Sequence, residues 1–345
     1  MRIMAFPSDR PADGAYPADG APIIGITLGD PTGIGPEIVA RALAERPNLR
    51  VRVFGDWSVL QAAARTMSAP LPPRACVSPP QGRDLVEPEM VPGRPTLASA
   101  RAQLAYLEAT TTAALAGEVD ALCTAPISKD WMAHAGFQFP GHTEYLAARA
   151  GTDDFAMMLA GPRLRVVLAT RHIALGQVVG ALNVGEIVRA TVLAARALVN
   201  DFGMGRPRVA VAGLNPHAGE SGRFGDEEAR IVRPAVLAAR ARLEVAGIPA
   251  LVTGPYPPDA VFREAANGAF DAVVALYHDQ GLIPLKLLHF DEGVNVTLGL
   301  PFVRTSPDHG TAYAIAGTGR AHAGSFLAAL DLAAALAERA ARRRG

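Results

Sequence analysis

Cysteine is scarce in this chain: Cys76 and Cys123 are the only two among 345 residues, with no C-x-x-C spacing. That excludes a disulfide framework or a cysteine-built zinc site, and both read as free thiols of a reducing compartment. Charge of one sign is missing too, since 33 basic and 33 acidic side chains cancel. No global field would then draw the chain to nucleic acid or to an acidic membrane. No apolar run reaches the ~18 residues of a membrane span. Residues 1–22, rich in Pro, Gly, Ala and Asp, read as a flexible tail without the apolar centre of a secretory signal. A Walker A motif is absent, and Gly33-Ile34-Gly35-Pro36-Glu37-Ile38 lacks the third glycine of the dinucleotide fingerprint G-x-G-x-x-G. The expectation is a cytoplasmic protein with neither nucleic acid nor membrane as partner.

Hydrophobic residues make up 50% of the chain and charged ones 19%, which suits a well-buried protein of two domains. Ile23–Leu28 reads as a first strand running into Gly29–Glu37 and a helix over Pro36–Glu45, with proline in its first turn. Strands are predicted at Val51–Phe54, Val119–Cys123, Val166–Ala169, Val209–Gly213 and Ala272–Tyr277. Helices are predicted at 57–67, 97–116, 184–199 and 227–245. The 97–116 helix has the plainest stripe, Leu97, Ala100, Leu104 and Leu107. Residues 68–95, with eight prolines, read as a connector. The basic run Arg339, Arg342, Arg343, Arg344 reads as a solvated helix end. Continuous apolar strands alternating with helices predict an α/β fold on a largely parallel sheet covered on both faces.

Three histidines follow three apolar runs: His172 in Thr170-Arg171-His172, His217 in Asn215-Pro216-His217, and His278 in His278-Asp279-Gln280-Gly281. Carboxyl ends of parallel strands face one edge of a sheet, so these imidazoles could converge on a divalent ion or on substrate. Each taken alone reads as a hydrogen-bonded structural residue rather than a ligand. His142 and Thr143, after Pro140-Gly141, look like the opening of a helix whose N–H groups suit a phosphate, with an ordinary N-cap as the plain alternative. Lys286 and Arg304 are cations in apolar surroundings, within a glycine- and proline-laced stretch that also carries Asn295. Each needs an anionic partner or a route to solvent.

Several strings carry a resemblance. Gly29-Asp-Pro-Thr-Gly-Ile-Gly-Pro-Glu37, Thr124-Ala-Pro-Ile-Ser-Lys129, Gly141-His-Thr-Glu144, Gly213-Leu-Asn-Pro-His-Ala-Gly-Glu220, Tyr277-His-Asp-Gln-Gly281 and the long segment Gly293–Ala312 resemble the 4-hydroxythreonine-4-phosphate dehydrogenase family of vitamin B6 synthesis. The resemblance implies a fold similar to isocitrate and isopropylmalate dehydrogenases, with two α/β domains and a cleft between them. Residues 23–128 plus 296–345 would form the terminal domain on the cofactor side. Residues 129–295 would form the central domain, with the metal ligands and the contacts of a homodimer. It implies a divalent metal ion (zinc, magnesium or cobalt) on His172, His217 and His278, the last supplied by the partner subunit. His142, Thr143, Lys286, Asn295 and Arg304 would bind a phosphorylated small-molecule substrate. Asp308, His309, Gly310, Thr311, Ala312 and Gly317 look like the loop that cradles adenosine, which would explain a nicotinamide enzyme without the dinucleotide glycines. Asp279 is a candidate proton acceptor or a partner that orients an imidazole, and Lys129 a candidate proton relay.

The implied reaction oxidises the 3-hydroxyl of 4-phosphohydroxy-L-threonine with NAD or NADP, after which the β-keto acid loses carbon dioxide. A paralogous 4-phospho-threonate dehydrogenase is the nearest rival. A metal-dependent hydrolase and a non-catalytic phosphometabolite-binding protein are the other classes.

Overall fold

The computed structural model describes residues 20–82, 85 and 90–344; the tail expected over 1–22 thus falls almost wholly outside the described residues. The chain divides into two compact units, Thr152–Gly299 and a second one made of the segment up to Gly151 with Leu300 onward. The segment 129–151, assigned on sequence to the central domain, therefore packs with the terminal unit.

In chain order the terminal unit contains β1 (Ile24–Thr27), α1 (Gly35–Glu45), β2 (Val51–Phe54), α2 (Trp57–Thr66), β3 (Val77–Ser78), α3 (Leu97–Leu115), β4 (Ala121–Thr124), α4 (Lys129–His134) and α5 (His142–Arg149). The middle unit follows with β5 (Ala156–Ala160), β6 (Arg165–Leu168), α6 (Leu175–Ala181), α7 (Val184–Asn200), β7 (Arg208–Ala212), α8 (Arg233–Val245), β8 (Leu251–Tyr256), α9 (Pro258–Ala266), β9 (Ala272–Ala275), α10 (His278–His289) and β10 (Val294–Leu298). The chain then returns to the terminal unit with β11 (Val303–Pro307) and α11 (Gly324–Arg344).

Terminal-unit strands run in the order β3-β2-β1-β4-β11 with parallel neighbours throughout. In the middle unit the order is β10-β5-β6-β9-β7-β8. There β6, β9, β7 and β8 are parallel, while β5 runs antiparallel to both β10 and β6. The largely parallel sheet expected from the apolar runs is present in both units. Its strands are buried on both faces, as Ile24, Ile26, Leu122, Val166, Val273 and Val274 show with 0% exposure. Burying each such side chain contributes roughly 1.5–3 kcal/mol, enough to override weak local preferences.

Four elements differ from the expectation in whole or in part. In α3 the apolar stripe marks only part of the buried face: Ala100 and Leu107 are buried and Leu104 packs on the core, but Leu97 is exposed while Gln103, Tyr106, Thr110 and Thr111 are buried. The hydroxyls of Thr110 and Thr111 donate to the carbonyls one turn back, which lets polar side chains face the interior. Asn295 and Arg304 lie on strands, β10 and β11, rather than in a loop. Likewise the His278-Asp279-Gln280-Gly281 string opens helix α10, which continues past Pro284, where a glycine-rich loop was anticipated. Packing decides this case: a Cβ on Gly281 would meet Val166 Cγ1 at 2.3 Å, so the first turn of α10 lies directly on β6.

Candidate active site

The three histidines occupy the carboxyl ends of three neighbouring strands. β6 leads to His172, β9 to His278 and β7 to His217, in the spatial order β6-β9-β7. The rings of His172 and His278 are 5.5 Å apart between centroids. His278 Nδ1 and Asp279 Oδ1 are 2.6 Å apart, so Nδ1–H donates to the carboxylate and Nε2 keeps its lone pair. That is the tautomer a metal-binding imidazole needs, and Asp279 is the group that fixes it. His217 belongs to a tight turn in which His217, Ala218, Gly219, Glu220 and Ser221 all have φ between 38° and 80°. Both His172 and His217 are exposed. Within one chain, no group of three or more His, Cys, Asp and Glu side chains among the described residues is spaced to hold a metal ion. The donor set still fits a divalent ion, because two imidazoles stand side by side, one of them with a ring nitrogen held by a carboxylate.

Lys286, two turns beyond His278 on α10, is partly buried. On β10, Asn295 faces Leu159 of β5, and its Oδ1 is buried without a hydrogen-bond partner. An orphaned buried acceptor is uncommon in a well-packed interior and marks a place where a donor from a ligand would fit.

In the terminal unit a second set of predicted residues comes together. Arg304 on β11 is 2% exposed and donates from Nη2 to Thr124 Oγ1 at 2.8 Å. Burial lowers its pKa to about 10, which leaves the guanidinium charged at neutral pH. His142 opens α5; burial first, then the charges of Arg304 and Lys129, holds its pKa well below the ordinary value, so the imidazole is neutral. Its Nε2 is buried and without a partner. Lys129 is exposed and lies across Gly141, where a Cβ would meet its Cε at 3.3 Å. Thr143 is 4% exposed in the first turn of the same helix. Two cations, an unpaired imidazole nitrogen and a helix start within one cluster have the chemistry to receive an anion. The aromatic triplet Phe137, Phe139 and Tyr145, with centroids 5.4–5.6 Å apart, packs under α5 and sets its angle.

The loop after β11 carries Asp308, His309, Gly310, Thr311, Ala312 and Gly317. Asp308 N–H donates to Ser325 Oγ, and Ala312 has left-handed backbone at φ 44°. The Gly29–Glu37 motif shapes this loop. Ile34 N–H donates to the Thr311 carbonyl at 2.9 Å, and both Gly317 N–H and Gly319 N–H donate to the Glu37 carboxylate at 2.9 Å. Asp30, fully buried, accepts from Thr32 and from the Tyr313 hydroxyl. Burial and that bond push the Tyr313 pKa up to about 12. A Cβ on Gly33 would lie 3.0 Å from Thr311, so the motif needs its glycine there for close approach.

On sequence the motif fails as a dinucleotide fingerprint and carries part of the family resemblance, but Asp30, Glu37 and Tyr313 have no role assigned there. The available signal was two acids inside a glycine-proline string, residues expensive to bury unless they accept hydrogen bonds. Gln280 and Glu228 were also missed: Gln280 stands in the His278–Gly281 string but was given no role, and nothing in the local sequence marks Glu228.

The profile of the family described as pyridoxal phosphate biosynthetic protein PdxA matches residues 48–333. A 4-hydroxythreonine-4-phosphate dehydrogenase of Desulfosudis oleivorans is 52% identical over 326 residues, covering 90% of this chain and 95% of that one. A D-threonate 4-phosphate dehydrogenase of Cupriavidus necator is 42% identical, covering 94% of this chain and all of its own. Among solved structures, that of a Klebsiella pneumoniae 4-hydroxythreonine-4-phosphate dehydrogenase superposes with a TM-score of 0.79 at 42% identity, over 92% of this chain and 100% of that one. With the profile spanning most of its length and relatives this similar end to end, the chain belongs to the pyridoxal phosphate biosynthetic protein PdxA family.

Proposed function

We propose that this chain oxidises 4-phosphohydroxy-L-threonine at its 3-hydroxyl with NAD or NADP to 2-amino-3-oxo-4-phosphooxybutanoate, which loses carbon dioxide to give 3-amino-2-oxopropyl phosphate. The carrying observation is the placement of His172, His278 and His217 at the ends of three adjacent parallel strands. Relatives bearing the corresponding enzyme name agree with it.

His172, His217 and His278 would hold a divalent ion, and imidazole donors suit zinc or cobalt better than magnesium, which prefers oxygen. Such an ion supplies positive charge where an alcohol must lose its proton. Asp279 holds His278 in the ligating tautomer, a role its 2.6 Å bond supports more directly than that of general base. Arg304, His142 and Thr143 bind an anionic end of the substrate, with Lys129 as the nearest ammonium and proton donor. Lys286 and Asn295, whose buried Oδ1 has no hydrogen-bond partner, are further substrate-binding candidates. Holding the substrate at its charged ends turns remote binding energy into alignment of the reacting carbon. The loop Asp308–Gly317 receives the dinucleotide.

A second copy of the chain completes the site. Support comes from exposed apolar side chains close in sequence to two of the histidines: Leu175 and Val179 on α6, then Ile283, Leu287 and Phe290, at 66%, 84% and 75% exposure, around α10. A cleft of about 720 Å³ lined by Phe262, Ile283, Pro284 and Leu287 opens beside the same helix. Surface of this kind is normally covered.

D-threonate 4-phosphate is the second candidate substrate, because a relative of that name is 42% identical. Appearance of reduced nicotinamide at 340 nm with each phosphorylated substrate separates the two. Turnover of 4-phosphohydroxy-L-threonine at a kcat/KM at least tenfold higher is expected. The reverse order would transfer the assignment to the threonate reaction, and phosphate release without nicotinamide reduction would replace a dehydrogenase by a hydrolase.

A further inference from the structure

We propose that Gln280 and Glu228 are positioning residues that fix the backbones carrying His217 and His278 relative to one another; the inference rests on reading the three histidines as ion ligands. The turn after β7 is intrinsically costly. Its four non-glycine residues His217, Ala218, Glu220 and Ser221 have φ of 53°, 53°, 38° and 59°. Left-handed backbone is unfavourable for any residue with a side chain, and such runs persist only where the surroundings over-determine them.

Glu228 is one half of that restraint. It is 3% exposed, and its Oε1 accepts from Leu214 N–H at 2.8 Å and Asn215 N–H at 2.7 Å. Its Oε2 accepts from Asn215 Nδ2 at 3.0 Å, and Glu227 accepts from the same amide at 2.8 Å. The carboxylate reaches into the turn itself, since a Cβ on Gly219 would stand 2.7 Å from Oε2. Glu228 also opens a π-helical turn, Glu228–Val232, a wide-turn distortion that recurs at functional sites.

Gln280 is the other half. Its side chain is 8% exposed and both ends of its amide are used. Oε1 accepts from Leu276 N–H at 2.7 Å, just beyond β9, and Nε2 donates to the Gly213 carbonyl at 2.7 Å, just beyond β7. One side chain, two residues from His278, therefore spans the ends of the two strands that lead to His278 and His217. The backbones are pinned while His217 stays exposed, which is what a ligand waiting for an ion requires. A bridge serving stability alone would not have to sit at the two histidine-bearing strand ends, since an apolar side chain of the same shape can stabilise as well.

The test uses the full chain and Co²⁺, followed by its visible absorption and by titration of the metal-free protein. Gln280→Met keeps the shape and removes both hydrogen bonds; it should lower Co²⁺ affinity by about 10- to 100-fold and alter the cobalt spectrum. Thr191→Val removes a buried hydrogen bond inside α7 and should leave both unchanged. Should Gln280→Met fail to fold, Glu228→Gln reads the same effect from the other side of the turn. Co²⁺ affinity within twofold of wild type in the folded variant overturns the positioning role, while loss of binding in His217→Ala keeps the ligand assignment intact. Equal Co²⁺ binding by wild type and His217→Ala overturns the ligand assignment and this inference with it.

Discussion

The two units solve one problem with one device and different wiring. Each has an irregular loop at the end of a strand, and each pins that loop with a buried glutamate accepting two backbone N–H groups. In the terminal unit Glu37 takes Gly317 and Gly319; in the middle unit Glu228 takes Leu214 and Asn215. A buried carboxylate is costly unless its oxygens are satisfied, so both are structural commitments. The difference lies in where the acid is encoded. Glu37 belongs to a conspicuous glycine-proline string and reaches across almost the whole chain length. Glu228 lies 13 residues after its loop in a plain helical stretch, and its counterpart Gln280 lies 67 residues beyond Gly213. A conspicuous motif can thus have a supporting role, and the residues that hold the candidate ligands can be inconspicuous.

The comparison is broken most severely by removing its presumed functional ends. His217→Ala should lose the bound divalent ion and at least ~10³-fold in kcat/KM, measured by metal analysis and nicotinamide reduction. Near-normal metal content would withdraw the histidine from the site. Arg304→Ala, on the terminal side, should raise the substrate KM by ~10²-fold with metal content unchanged, as expected for a lost charge-assisted bond.

Glu37→Gln should raise the KM for the dinucleotide by about tenfold, with a smaller change in kcat, because only the loop at Asp308–Gly317 relaxes. A loss of metal instead would show that the two loops are not independently wired.

Acidification separates the units by pH window. His142 has a folded pKa below its unfolded value of ~6.5, so the unfolded state takes up its proton first. The stability this group contributes is complete above pH ~6.5 and falls as pH drops, by up to ~1.4 kcal/mol per pH unit. In Glu228 burial alone would raise the pKa, but the hydrogen bonds from Asn215 and Leu214 outweigh it and leave it lowered. Its contribution is intact above the ordinary carboxylate range and is lost only in more acidic solution. Chemical denaturation of metal-free protein at several pH values should show the first loss, and His142→Gln should remove it while sparing the second.

The smallest expected effect concerns the thiols. Cys123 on β4 is fully buried, and burial pushes its pKa up to about 12, whereas Cys76 is partly exposed. Alkylation of the native protein, read by mass spectrometry, should modify Cys76 first and Cys123 only on unfolding.

Much of this molecule was legible before folding was considered. Apolar runs such as Val166–Leu168 and Ala272–Ala275 lie where a buried parallel strand requires them, because a strand covered on both faces cannot alternate. The histidines following those runs were legible for the same reason, since strand ends in a parallel sheet share an edge. Asn295 and Arg304 were visible as residue types but not as strand residues, because glycine and proline nearby mask short strands whose neighbours are distant in sequence. The buried face of α3 was readable at Ala100, Leu104 and Leu107 but not at Thr110 and Thr111, which depend on hydroxyls bonded back to their own helix.

The sequence by itself determined the α/β class, the order of the elements and which side chains are candidates for the chemistry, all properties of local pattern and residue type. Tertiary structure alone decided that β6, β9 and β7 lie side by side. It also decided that burial, helped by the charges of Arg304 and Lys129, holds His142 neutral, and that Glu37, Glu228 and Gln280 fix the loops. Those outcomes depend on strand adjacency and on hydrogen bonds between residues far apart in the chain, whose partners no local pattern specifies.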